Sequence, residues 1–150
     1  MSEQMREELD EGVIELKDTQ NGHSKEQEYQ LLFDSMTEMV ETIELIYNKN
    51  NEPIDFYIRD LNTSFAKFLG KSKEQVINKK ASSIIGVIED HWLISFASVE
   101  KTGDPITFKN YGAEFDKYYY VTAWKVSENK VGISYTDITK SEKAEIELQM

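Results

Sequence analysis

Alternating bulky and polar side chains mark the end of the chain as two β-strands. Residues 118–126 alternate in this way and are rich in Tyr, Val, Thr and Trp, which favour a pleated, half-buried surface. Residues 127–130 form a polar break of hairpin length, after which Val131, Ile133 and Tyr135 recur at every second position. The pattern predicts a terminal hairpin.

A helix start follows the second of these strands directly. Thr139 and Glu142 have capping-box spacing, in which the hydroxyl bonds the third amide and the carboxylate reaches back to the cap amide. We interpret Asp137, Ile138, Thr139 and Glu142 as a candidate signal-relay site. Asp137 is expected to hold the turn through local amides or a nearby cation. A well-capped helix without any switch is the alternative, and it stays open.

The first part of the chain shows the same two periods. A capping-box pair that begins at Ser24 predicts a helix over residues 25–37. Alternation over residues 39–47 and again over residues 54–58 predicts two strands joined by a polar turn. Pro53 opens the second strand, where its missing amide does least harm.

Helix caps organise the middle of the chain. Asn62 predicts the N-cap of a short helix that ends at Gly70, and Ser72 predicts the cap of a second short helix. Asp90 begins a longer helix that closes at residues 102–105. These elements follow the first two strands and precede the remaining three.

Strands that are segregated from helices along the sequence indicate the α+β class. We predict a five-stranded antiparallel sheet with helices packed on one face and flanking N- and C-terminal helices. The expected organisation is an acidic N-terminal extension over residues 1–24, one domain over residues 25–138 that includes the N-terminal helix, and the start of an output or linker helix over residues 139–150.

Composition narrows the possible functions. A hydrophobic content of 39% supports a real core, and a formal charge of −11 argues against DNA, RNA or an anionic membrane as partners. No apolar run is long enough to span a bilayer, and the acidic N-terminus lacks the hydrophobic core of a signal peptide. We therefore expect a cytoplasmic protein that makes no contact with a membrane through this segment.

The order of these features resembles that of the PAS domain family over about residues 28–140. The motifs that carry the resemblance are Asn62-Thr63-Ser64-Phe65 with Leu69-Gly70, Val76-Ile77-Asn78-Lys79, Thr102-Gly103-Asp104-Pro105 and Asp137-Ile138-Thr139. Asn78 stands where the family often has glycine, and Gly86 stands where relatives often carry proline. The resemblance implies a PAS-like fold and a sensory or dimerisation module, usually one piece of a larger signalling protein such as a histidine kinase.

An apolar stripe on the longer helix, together with facing residues, forms a candidate pocket between that helix and the sheet. Its members are Trp92, Phe96, Val99, Phe65, Val121 and Ala123. The same residues also suit an ordinary filled core, and both interpretations stay open.

Cofactor chemistry is restricted by the residues available. The chain has no cysteine, which excludes a cysteine-dependent flavin photoadduct, a disulfide and a thiolate metal site. His91 begins the helix that supplies the iron ligand in haem-binding relatives. We interpret it as a solvent-facing residue, because it lies beside Trp92 rather than on the buried stripe, so neither haem nor another metal is expected. The cofactor is left unknown, since simple flavin binding is not excluded.

We predict a non-catalytic PAS-type sensory module. It would relay a ligand- or partner-induced conformational change through its C-terminal helix to an output domain in the same polypeptide, as in a sensor histidine kinase of a two-component system. The alternative is a ligand-free dimerisation scaffold. A small α+β enzyme has least support, because no acid is expected in an apolar pocket.

Three successive tyrosines favour a homodimer. Tyr118, Tyr119 and Tyr120 place aromatic rings on both faces of one strand. The face that points away from the helices must therefore be covered by a partner subunit or by the flanking helices.

Overall fold

The computed structural model describes residues 24–149 and divides the chain into two compact units, Met1–Ser35 and Met36–Met150. The predicted acidic extension therefore lies outside the described residues except for Ser24. In the first unit, α1 spans Lys25–Ser35 and ends two residues before its predicted limit. Its predicted capping box is confirmed, since the Gln27 amide donates to Ser24 Oγ at 3.1 Å and the Ser24 amide donates to Gln27 Oε1 at 2.9 Å.

The second unit consists of six strands and five helices among its described residues. They are β1 Met39–Tyr47, β2 Pro53–Leu61, α2 Thr63–Leu69, α3 Lys73–Val76, β3 Lys79–Lys80, α4 Ala81–Ile85, α5 Asp90–Thr102, β4 Ile106–Gly112, β5 Lys117–Ser127, β6 Lys130–Asp137 and α6 Thr139–Gln149. The sheet has the order β3-β2-β1-β6-β5-β4, and every neighbouring pair is antiparallel. The predicted α+β fold with an antiparallel sheet is confirmed.

The additional strand is β3, which comprises only Lys79 and Lys80 and pairs with the edge of β2. Its position follows from Asn78, which has a φ of 67° and donates its amide to the Ile58 carbonyl at 2.7 Å. Asparagine tolerates this left-handed conformation better than most residues. The turn therefore forms with asparagine at the position where the family often has glycine. It directs Lys79 and Lys80 along β2, with which they pair.

Helices α2, α4 and α5 pack against one face of the sheet and form the core with it. Inward side chains such as Ile43, Val121 and Ile133 are fully buried, and Phe96 of α5 packs on them. Strand β6 lies between β1 and β5 and is paired on both sides. No helix of residues 24–149 is long and apolar enough to cross a membrane.

Asn62 joins the sheet to the first helix that covers it. Its fully buried side chain accepts from the amide of Val40 at 3.0 Å and from that of Phe65 at 3.2 Å, and its Nδ2 donates to the Glu38 carbonyl at 2.9 Å. One side chain thus caps α2 and fixes the entry to β1. The predicted N-cap is confirmed, and the link to β1 is an additional role.

Asn62→Ala should lower the free energy of unfolding by about 3 kcal/mol, because it removes a helix cap, the buried hydrogen bond to the Val40 amide and the bond to the Glu38 carbonyl. Ser72→Ala is the matched control, since Ser72 caps α3 in an exposed capping box; it should cost about 1 kcal/mol or less. Urea unfolding of both variants measures the difference. Equal losses would contradict the role assigned to Asn62.

Candidate functional site

A cavity of about 70 Å³ lies between the inner face of the sheet and helices α2, α4 and α5. Its lining residues are Met39, Glu41, Phe56, Ile58, Phe65, Phe68, Leu69, Ala81, Ile85, Ile88, Trp92, Phe96, Gly112, Glu114, Phe115, Tyr119 and Tyr135. Ligand pockets usually measure about 300–1,000 Å³, whereas one water needs about 10–15 Å³ on the scale used for such cavities. This cavity therefore has room for several water-sized positions, and so for a small molecule.

The predicted pocket residues divide into two groups. Phe65, Trp92 and Phe96 line the cavity. Val99, Val121 and Ala123 are fully buried in the surrounding core but do not line it. Three of the six predicted residues therefore line the cavity, and three belong to the filled core around it.

Aromatic rings form much of the cavity wall. The Trp92 ring centroid lies 6.0 Å from that of Tyr135, 6.3 Å from that of Tyr119 and 6.0 Å from that of Phe96. Phe65 packs edge-on against Tyr135, with centroids 5.5 Å apart. The wall therefore presents several aromatic faces and edges around one small space.

Glu41 places a carboxyl group in this apolar wall. The residue is 2% exposed, and its Oε2 accepts from the Tyr135 hydroxyl at 2.6 Å. Burial raises the pKa of Glu41 to about 7, although the hydrogen bond from Tyr135 acts in the opposite direction. No basic side chain among residues 24–149 forms an ion pair with it.

The prediction that no acid lies in an apolar pocket is therefore wrong. Met39, Glu41, Ile43 and Leu45 all stand at inward positions of β1, so Glu41 is in phase with the buried apolar residues of the strand. A charged residue in phase with buried apolar residues was the signal that could have found it.

Two further polar groups lie at the cavity. Tyr119 is 5% exposed, and its hydroxyl has no hydrogen-bond partner among the described residues. Burial also raises the pKa of Tyr119, with Asp137 and Glu114 contributing. Partial burial and the neighbouring Glu89 raise the pKa of Glu114. A buried hydroxyl without a hydrogen-bond partner is uncommon in proteins, so the Tyr119 oxygen is available to a ligand or a water.

His91 is half-exposed and does not line the cavity. Its Nε2 lies 3.0 Å from Glu89 Oε2, and its Nδ1 lies 2.8 Å from Asn110 Nδ2. Glu89 Oε1 also accepts from the Ala113 amide at 2.9 Å, which ties α5 to the loop after β4. These contacts give His91 a local structural role beside the cavity.

The predicted signal-relay residues meet where β5, β6 and α6 join. Asp137 Oδ1 accepts from the Thr139 amide at 2.9 Å and from its hydroxyl at 2.6 Å, while Oδ2 lies 3.5 Å from Lys117 Nζ. These hydrogen bonds and Lys117 hold the pKa of Asp137 below its usual value, against the effect of burial. The Tyr118 amide donates to Thr139 Oγ1 at 3.0 Å, and the Ile138 amide donates to the Tyr118 carbonyl at 2.9 Å.

The expected capping box between Thr139 and Glu142 is wrong. The Thr139 hydroxyl is occupied by Asp137 and Tyr118, and the Glu142 amide bonds to the Ile138 carbonyl instead. The Glu142 carboxylate lies 3.4 Å from Lys109 Nζ on β4. Asp137 therefore replaces Thr139 as the capping side chain, because the Thr139 hydroxyl accepts from the Tyr118 amide and donates to Asp137.

The cavity and this junction share two strands. Tyr135 lines the cavity, and Asp137 lies two residues further along β6. On β5, Tyr119 lines the cavity and pairs directly with Asp137, while Tyr118 bonds to Thr139. The wall of the cavity is therefore continuous with the start of α6.

Solved structures with this fold are PAS domains and domains of signalling proteins. The PAS domain of an HTR-like protein from Haloarcula marismortui matches with a TM-score of 0.55 and 13% identity over 76% of this chain and 97% of that chain. A domain of a sensory box sensor histidine kinase/response regulator from Geobacter sulfurreducens matches with a TM-score of 0.54 and 12% identity, over 75% and 94% of the two chains. The PAS domain of nitrogen regulation protein NR(II) from Vibrio parahaemolyticus matches with a TM-score of 0.53 and 12% identity, over 73% and 97%.

The fold of this chain is therefore that of PAS domains, and the resemblance drawn from the order of the motifs is confirmed at the level of the fold. No family model and no curated protein matches the sequence.

The buried carboxyl group should make stability depend on pH. The folded state keeps the Glu41 proton up to about pH 7, whereas the unfolded chain loses it near 4.5. The folded state therefore holds more protons in this interval, and stability should fall as pH rises, by roughly 3 kcal/mol at 1.36 kcal/mol per pKa unit.

Glu41→Gln keeps the shape and removes the titration, so its stability should fall less than that of the wild type between pH 5 and pH 8. Urea unfolding at several pH values gives the two profiles. Parallel profiles would contradict the raised pKa of Glu41.

Proposed function

We propose that this chain is a non-catalytic, cytoplasmic PAS-type sensory module. It relays a change in its cavity through α6 to an output domain in the same polypeptide, as in a sensor histidine kinase. The observation that supports this most is the course of β6, which carries Tyr135 in the cavity wall and Asp137 at the start of α6. A displacement of the Tyr135 side chain needs to pass along only two residues of this strand to reach Asp137.

The polar contacts suggest how such a change would travel. A ligand or a proton that alters the Glu41–Tyr135 hydrogen bond moves the Tyr135 side chain relative to β1. Because Tyr119 lies beside Tyr135 and pairs with Asp137, the same event acts on both strands of the terminal hairpin. The hydrogen bonds of Thr139 to Asp137 and Tyr118 then set the start of α6. Coupling of this kind is typically worth about 1–3 kcal/mol.

A ligand-free dimerisation scaffold is the second candidate. Tyr120, Trp124 and Val126 point away from the helices on β5 and are 44%, 37% and 52% exposed. Trp124 lies flat against Gly132 of β6, where a Cβ would come within 2.4 Å of its ring. This glycine keeps a large apolar ring on the outer face of the sheet. A second copy of the chain covering that face accounts for its aromatic character.

The relay can be tested at Asp137. Asp137→Ala removes the side chain that caps α6 and should cost about 1 kcal/mol of stability. In the intact parent protein it should change the output while the domain remains folded. The measurements are urea unfolding of the chain and output activity of the parent.

Asp137→Asn is the matched variant, because an amide oxygen can still accept from the Thr139 amide while the charge facing Lys117 is lost. Its stability and its output activity should both stay closer to those of the wild type than the values for Asp137→Ala do. Unchanged output of Asp137→Ala at normal stability would remove the relay role of this residue.

Association can be tested on the outer face. The wild type should show a mass that rises with concentration towards a dimer, and Tyr120→Lys with Trp124→Lys should keep it monomeric. Ile94→Lys is the control, because Ile94 is 63% exposed on α5, on the helical side of the sheet. Sedimentation equilibrium measures all three. A wild type that stays monomeric, or a double variant that dimerises equally well, would contradict this interface.

A further inference from the structure

We propose that the cavity binds a small amine as its cation, held among the aromatic rings with its nitrogen between the Glu41 carboxylate and the Tyr119 hydroxyl. This inference rests on the proposed sensory function and assigns a chemical class to its ligand.

The charges around the cavity select against anions. Its ionisable lining residues are two acids, Glu41 and Glu114, and two tyrosines, Tyr119 and Tyr135. No lysine, arginine or histidine of the described chain lines it. A carboxylate or phosphate ligand would therefore enter beside two acids, of which Glu41 is buried, without any cation among the lining residues to offset its charge, which is costly in a desolvated site.

The two buried polar groups both suit a donor that carries positive charge. The Tyr119 hydroxyl has no hydrogen-bond partner within residues 24–149, so its oxygen can accept from a ligand N–H. The Glu41 carboxyl group has one hydrogen bond, from Tyr135, and no cationic partner in residues 24–149. A bound ammonium supplies that partner and offsets the cost of ionising Glu41 in the core.

The remaining wall is aromatic, which favours the same ligand class. The rings of Trp92, Tyr119 and Tyr135 stand within 6.3 Å of one another, and Phe65 lies against Tyr135. Aromatic faces attract organic cations, and several rings beside a carboxylate form a recurrent arrangement for recognising an ammonium group. A neutral alcohol would gain the hydrogen bonds but neither the charge pairing nor the cation–π attraction.

The dimensions limit the ligand to a few atoms. A volume of about 70 Å³ corresponds to roughly five water-sized positions, and so to an amine with about that number of non-hydrogen atoms. Phe68, Leu69, Glu114 and Phe115 line the cavity and are partly exposed, so this side of the wall offers an entrance. The partly exposed Glu114 places a second acid at that entrance.

Binding should depend on pH through Glu41. The Tyr135 hydroxyl from β6 bonds Glu41 directly. The other ionisable groups that line the cavity are Tyr119 and Glu114, and the lining side chains of α2, α4 and α5 are apolar. Tyrosine and alkylammonium groups keep their protons in the neutral range, so Glu41 is the group whose charge changes most. An ammonium must displace the Glu41 proton, and its affinity therefore rises with pH.

The test is an NMR titration of the full chain with isopropylamine, and with isopropanol and acetate as neutral and anionic probes of similar size. The reporter is the indole N–H resonance of Trp92, distinguished from that of Trp124 by a Trp124→Phe variant. At pH 8 isopropylamine should bind at least about tenfold more tightly than isopropanol, and acetate should not bind. Its affinity should fall about tenfold from pH 8 to pH 6, as expected for an acid with a pKa near 7.

Two variants test the contacts. Glu41→Gln should reduce amine affinity to that of the alcohol and abolish its pH dependence. Tyr119→Phe should lower the affinity for the amine while its dependence on pH is retained. A purely structural role of Tyr119 would not produce this combination. Dispersed NMR spectra establish that each variant is folded. If Glu41→Gln does not fold, the wild-type comparison of the three probes at two pH values still decides the question.

The inference is overturned if isopropanol or acetate binds as well as the amine, if amine affinity is independent of pH, or if neither isopropylamine nor the smaller methylamine binds at pH 8. The sensory function is judged separately, from the amide resonances of α6. If acetate or isopropanol binds and α6 responds, the amine class fails and the sensory function stands. If the amine binds and α6 does not respond, the ligand class stands and the relay fails.

Discussion

The pairing of β6 on both of its sides is the constraint on which the rest of this structure depends. Its neighbours β1 and β5 fix its register, so Tyr135 must face the core and Asp137 must stand at the end of the strand. A central strand cannot slip by one residue without turning its buried side chains outward. The position of the cavity and the direction of the outgoing helix are therefore set by the same ladder of hydrogen bonds.

Around this rigid strand the core keeps polar groups that ordinary packing would avoid. A buried carboxyl group without a cation costs free energy, and the hydrogen bond from Tyr135 offsets only part of that cost. The Tyr119 hydroxyl, which has no hydrogen-bond partner in the described part of the chain, adds a second cost in the same cavity. Apolar residues of similar size would avoid both costs. The proposed role of the two groups is therefore recognition rather than stability.

The sequence was sufficient to predict most of the secondary-structure elements and their order, since periodicity and helix caps are local signals. Asn62 and Ser72 cap the predicted helices, and the first strand and the terminal hairpin lie within a residue or so of their predicted limits, whereas β2 continues to Leu61. The details that depend on tertiary contacts were not predictable in the same way. Thr139 does not cap α6, because its hydroxyl accepts from the Tyr118 amide of β5. Whether the Tyr119 hydroxyl finds a hydrogen-bond partner depends on side chains that are distant in the sequence. Glu41 was an intermediate case. The sequence pattern showed that it is in phase with the buried residues of β1, but not that it forms no ion pair within residues 24–149.

The most direct test of the account is amide hydrogen exchange at the junction in a Tyr135→Phe variant. This change removes only the hydroxyl that bonds Glu41, in a cavity that contains neither Asp137 nor Thr139. Coupling along β6 predicts altered protection of the Tyr118, Ile138 and Thr139 amides, all of which bond across the junction, while amides of the β1–β2 turn stay as in the wild type. Unchanged protection at those three amides in a folded variant would contradict it.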